Sequence, residues 1–131
     1  MSTIFTKIVN KEIPCYLIKE DDRFLAFLDV MPLVEGHVLV IPKQEVDYIF
    51  DLEPELLGDL MKFAQTIAPA IKKAIPCKRV GVAVIGLEVP HAHVHLVPMN
   101  RMLDINFSQE KMKPSAESLA KTAELIRSFL L

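Results

Sequence analysis

The stretch His91-Ala92-His93-Val94-His95-Leu96-Val97 constrains this chain more than any other. Successive side chains on a β-strand point to opposite faces. Read as a strand, the stretch carries His91, His93 and His95 on one face and Ala92, Val94 and Leu96 on the other. A strand with one apolar face and one imidazole face is half-buried, and its polar face lines something. A lone His-x-His in an antiparallel strand is often only a packing feature. Three in register, flanked by small apolar residues, point to chemistry. The chain has four histidines, and the fourth, His37, opens another run rich in Val and Ile.

With 131 residues the chain is read as one domain, 1–131, with a substantial core. A hydrophobic fraction of 51% suits a compact globule, and no apolar run approaches the ~20 residues of a membrane span. Met1-Ser2-Thr3-Ile4 lacks the basic stretch and long apolar run of a secretory signal, so a cytoplasmic protein is expected. A net charge of −2 with mixed signs gives no electrostatic footprint for nucleic acid. Cys15 and Cys77 form no CxxC pair and are expected as free, buried thiols.

Ile4, Phe5 and Ile8 recur at helical spacing, predicting a short N-terminal helix that ends by Pro14. Residues 15–20 and 23–29 read as strands joined at Asp21-Asp22, the second buried on both faces along Phe24-Leu25-Ala26-Phe27-Leu28. Residues 37–41 and 79–85 are further strands. Between them the period becomes helical over 54–75, with Leu56, Leu57, Leu60, Met61, Ala64, Ile67, Ala68 and Ile71 on one stripe. Pro54 suits a helix start, whereas Pro69 predicts a kink or break near Ala68. Residues 102–113 lack periodicity and are expected to be irregular and mobile. Ser115 is placed to cap a last helix carrying Leu119, Ala123, Ile126 and Leu130. The fold class is therefore α+β: an antiparallel sheet of about five strands with one long helix packed on it, and short helices at both ends.

Two chemistries are open to the histidines. Alternate Cα atoms on a strand lie about 6.6 Å apart, so His91 and His95 stand about 13 Å apart. Three rings in a straight row converge poorly on one metal ion, though two of them with His37 would make a zinc hydrolase. Alternatively one imidazole is a nucleophile, its second nitrogen held by an acceptor that fixes tautomer and aim. The middle ring, His93, is best placed for that role.

His-apolar-His-apolar-His followed by two apolar residues resembles the histidine triad family of nucleotidyl hydrolases and transferases. Thr3–Ile8 with Glu12-Ile13-Pro14, Phe27–Pro32, and Gly36–Lys43 resemble other parts of that family, so the similarity covers about residues 3–100. Residues 101–131 form a C-terminal extension. The resemblance implies the same α+β fold and a small phosphoramidase-like enzyme that passes through a nucleotidyl-histidine and needs no cofactor or metal. It implies His93 as nucleophile and His95 as phosphate contact. His91 would offer its carbonyl to the His93 ring, and His37 would buttress the cluster. It further implies a slot for a purine nucleotide of the AMP type, walled by Ile4, Phe5, Ile8, Phe27 and Val30. Asp29 would accept the ribose hydroxyls, with Glu88 and Val89 nearby. Small members of the family are homodimers, which implies the same here. Helix 54–75 and strand 79–85 are then the expected contacts, both more apolar than one side of a sheet can cover.

One segment departs from the family. Where its members usually carry Gly-Gln-Ser or Gly-Gln-Thr, this chain has Gly86-Leu87-Glu88-Val89-Pro90. The loop before Gly86 is also short for the Asn often found there. These losses keep open a non-catalytic nucleotide-binding partner protein as the alternative. If Glu88 stands beside the departing group, it disfavours anionic leaving groups and tolerates amines.

Overall fold

The computed structural model describes residues 2–130. Its helices are α1 (Ile4–Val9), α2 (Pro54–Ala74) and α3 (Ala116–Ser128). Its strands are β1 (Leu17–Glu20), β2 (Phe24–Leu28), β3 (Val38–Pro42), β4 (Arg79–Ala83) and β5 (Val94–Met99). Short 3₁₀ turns occur at Ile49–Asp51 and Met102–Ile105. All strand pairs are antiparallel, in the order β1-β2-β3-β5-β4. The α+β class and the five-stranded sheet expected from the sequence are what the chain forms.

The period-two rule divides β2 and β3 between two cores and turns Val94 and Leu96 of β5 into the first. Phe24, Ala26 and Leu28, with Val38, Val40, Val94 and Leu96, join the core built around α2 and α3. Leu25, Phe27, Leu39 and Ile41 join Phe5 and Ile8 of α1 on the opposite face. Ala92 belongs to the first core, so the apolar half of the triad stretch packs toward α2 as expected. The ladder itself begins only at Val94. His91 N–H donates to the Val89 carbonyl and Ala92 N–H to the Val46 carbonyl, so their backbone groups are taken up by loops. His37 likewise stands just ahead of β3.

α2 runs without a break through Pro69, against the expected break. Pro69 and Gln65, whose carbonyl loses its helical donor there, are both on exposed positions, so the lost bond is not buried. The buried stripe is Leu60, Phe63, Ala64, Ile67, Ala70, Ile71 and Ala74. Met61 of the expected stripe is exposed and Ala68 only half-buried, because the helix presents a narrower face, turned toward Phe63. Ser115 caps α3 through an N–H from Ser118, and Leu119, Ala123 and Ile126 enter the first core. Cys15 and Cys77 are both free but half-buried, not buried. No described helix is long and apolar enough to cross a membrane.

Candidate active site

The opening of β3 is set by Gly36, which has φ +89° and so sits where a side chain is strained. A Cβ there would also meet Ile75 Cγ1 at 2.8 Å. This tight turn over the end of α2 delivers His37 to the α1 face, next to β5. The Leu33 N–H donates to His37 Nδ1 at 3.1 Å. Burial, with His95 close by, pushes His37 down to about 3, so the ring is neutral and its proton sits on Nε2. That proton is donated to His95 Nδ1, 2.9 Å away. Burial also lowers His95, to about 4. Its own proton is therefore on Nε2, which remains as a hydrogen-bond donor. One backbone amide thus settles the tautomer of two rings in series.

His93 is oriented by its own chain. Its Nδ1–H donates to the His91 carbonyl at 2.7 Å, which fixes the tautomer whose lone pair lies on Nε2. Phe5 packs edge-on against it with ring centres 5.1 Å apart, and His95 lies 4.9 Å away on the other side. His91 faces away from this pair. Its Nε2–H donates to the Pro42 carbonyl at 2.8 Å, and its Nδ1 meets the Thr3 hydroxyl at 3.0 Å. Burial holds it below the ordinary histidine range. Thr6 turns its hydroxyl to Glu45 at 2.6 Å, and Thr3 N–H reaches the same carboxylate at 2.9 Å. The first residues of the chain are in this way fastened beneath the triad.

A cavity of about 280 Å³ opens between α1, the end of β2 and these rings. Every residue predicted to contact a nucleotide lines it: Ile4, Phe5, Ile8, Phe27, Asp29, Val30, Glu88, Val89 and His95, together with His93. Ile4 and Val30 stand half-exposed at its rim, while Phe5, Ile8 and Phe27 form its buried wall. Asp29 accepts from Met31 N–H at 3.0 Å, and its other oxygen lies 3.8 Å from His37 Nε2. Burial nevertheless raises its carboxyl above the usual range. Cys15 also faces this cavity, and burial pushes its thiol up, so it serves as apolar wall.

Two residues at the site were missed by sequence reasoning. Phe107 packs on His95 with ring centres 4.7 Å apart, and on His37 at 6.1 Å. Lys111 lines both this cavity and a neighbouring one of about 240 Å³ that also touches Glu88, His93 and His95. Their only signal is a lone aromatic and a lone cation in an aperiodic polar stretch.

A metal could be offered Asp29, His37 and His95, whose donor atoms lie within 4.8 Å of one another. His37 and His95 are already bonded to each other, and His93 is outside the set. An ion taken by the bonded nitrogens would displace the contact that orients His95 and would leave the middle ring unused.

The HIT domain family model matches residues 10–102. An uncharacterized HIT-like protein of Borreliella burgdorferi is 37% identical over 102 residues, spanning 72% of this chain and 73% of that protein. Adenosine 5'-monophosphoramidase HNT1 of Saccharomyces cerevisiae is 38% identical over 96 residues, spanning 72% of this chain and 61% of the enzyme. A HIT-like protein of Bartonella henselae, described as involved in cell-cycle regulation, superposes with a TM-score of 0.86. It is 32% identical, with 97% of this chain and 95% of that one covered. The chain belongs to the HIT domain family.

Proposed function

We propose that the protein is a nucleotidyl hydrolase that cleaves the P–N bond of a purine nucleoside phosphoramidate. The observation that carries this reading is the His93 ring: Nδ1–H is tied to the His91 carbonyl, and the ring lines a cavity that also holds Asp29 and an apolar slot. His93 Nε2 attacks the α-phosphorus, the P–N bond to the leaving group breaks, and its nitrogen takes up a proton from solvent and departs as the amine. Water then attacks the same phosphorus and gives up a proton to solvent, the P–N bond to His93 breaks, and the monophosphate leaves with the ring restored. His95 donates its Nε2–H to a non-bridging phosphate oxygen throughout. Phe5, Ile8 and Phe27 hold the base, and Asp29 accepts from the ribose. The named activity of the yeast relative supports the substrate class.

The protein acts as a homodimer in this reading. Phe50 is 70% exposed and Leu87 89% exposed, and Tyr48, Met61, Val82, Val84 and Ile85 add to one apolar hollow beside β4. A second copy covering α2 and β4 removes that surface from water. Sedimentation at micromolar concentration gives the mass, and a monomer contradicts the assembly.

The test of activity is incubation with adenosine phosphoramidate while AMP release is followed, with and without chelator. Turnover untouched by chelator is expected. Binding without turnover in the parent would favour the non-catalytic alternative, and loss on chelation restored by zinc would favour a metal hydrolase.

A further inference from the structure

The two cavities that both His93 and His95 line contain an uneven set of charges. His95 is neutral, and Asp29 and Glu88 bring carboxylates. Among the described lining residues of both cavities, Lys111 is the one Lys or Arg. A phosphate entering beside two carboxylates is favoured by a countercharge.

Lys111 is held where it can supply one. Its segment is anchored on one side by Phe107 on the His95 ring and on the other by Met112 N–H, which donates to the Pro32 carbonyl at 2.9 Å. Between these anchors the ammonium extends to Glu88, Nζ to Oε2 3.8 Å. Glu88 is 83% exposed at its side chain and Lys111 33%, so water and salt screen the pair and it holds the ammonium only weakly. The charge of Lys111 is nonetheless felt at Asp29, His37 and His95, which places it electrostatically within the site.

We propose that Lys111 is the phosphate-binding cation of this site, carried to its mouth by the C-terminal extension and parked there on Glu88 until a nucleotide phosphate takes it over. The inference rests on the nucleotide reading above and assigns the recognition of phosphate charge to a residue outside the triad stretch. His95 gives the phosphate a neutral donor, and Lys111 gives it the opposite charge. Glu88 competes with the substrate for the ammonium.

The experiment compares AMP with adenosine, which lacks the phosphate, by titration calorimetry on the parent, Lys111→Met and Lys111→Arg. Loss of one charge-assisted contact predicts AMP binding roughly 10–100-fold weaker in Lys111→Met. Adenosine binding stays within about twofold, and Lys111→Arg recovers most of the AMP affinity. Raising salt weakens AMP binding in the parent more than in Lys111→Met. Equal losses for AMP and adenosine would reduce Lys111 to a packing role, and unchanged AMP binding would remove it from the site. Either result leaves the nucleotide reading intact. A parent that neither binds AMP nor releases it from phosphoramidate would overturn that reading and this inference with it.

Discussion

Along β2, Phe24, Ala26 and Leu28 turn toward α2 and α3, while Leu25 and Phe27 turn toward α1. The same strands therefore build both faces of the sheet, yet the faces are covered very differently. One lies under helices of 21 and 13 residues and is filled with aliphatic and aromatic groups. The other has a six-residue helix and an irregular strap, and between them it keeps cavities and four imidazoles. Polar rings survive there because each has partners: no described buried side-chain nitrogen or oxygen is left without a hydrogen bond. Coverage, more than strand composition, separates the storage of stability from the room for chemistry.

The largest test of that division is His93→Ala. On the proposed mechanism kcat falls by roughly 10⁴–10⁶-fold, while the midpoint of thermal unfolding moves little and AMP still binds. Steady-state kinetics with calorimetric binding checks both, and comparable turnover in mutant and parent would remove His93 from the mechanism.

The opposite face should answer in the opposite currency. Ile67 is fully buried beneath the sheet, so Ile67→Ala should cost about 2–5 kcal/mol of unfolding free energy in urea. Activity per folded molecule at low temperature should stay near that of the parent. A large kcat loss in the still-folded variant would mean that the two faces are coupled.

A third test uses pH. His37 and His95 sit at about 3 and about 4 in the fold against an ordinary 6.5. As pH falls through 6.5 the unfolded chain takes up protons first, so stability declines until the folded rings protonate near 4 and 3. The raised carboxyl of Asp29 acts in the other direction and tempers the slope. Thermal midpoints should drop by roughly 10 °C between pH 7 and pH 5. His37→Gln should flatten that dependence, and Ile67→Ala should leave its slope unchanged.

The smallest expected effect concerns Glu88 at the mouth. Glu88→Ser should improve kcat/KM for dinucleoside polyphosphates relative to amine-leaving phosphoramidates by about 3–10-fold, since it removes a like charge from the anionic leaving group. An unchanged ratio in parent and mutant puts Glu88 outside the leaving-group site.

Much of this was legible because alternation and helical period are local. Ala92, Val94 and Leu96 announced their face by spacing alone, and Ser115 announced the start of α3. The gathering of Ile4, Phe27, Asp29 and Glu88 around one cavity came from resemblance, since nothing in their spacing brings residues so distant together. Pro69 misled because a local rule says what a proline removes but not which side of the helix loses it. Phe107 and Lys111 were invisible for the converse reason. Their segment has no period, and its contacts arise from the path the chain takes between β5 and α3. Thr3 and Thr6 gave no signal of their own, and only the fold sets their hydroxyls beside His91.

α1 has one further consequence. Six residues are too few to stay helical in water unaided, and this helix persists through the Thr3 cap, the buried rings and aliphatics of Phe5 and Ile8, and hydroxyls turned to His91 and Glu45. Its amides should thus be among the first to exchange with solvent, through local opening well short of global unfolding. The same helix is a wall of the cavity, and whatever fills that cavity binds only the closed form. By mass action, occupancy then appears as slowed exchange in residues 4–9 before it appears anywhere else. The floor of the site is a reporter of its own ligand.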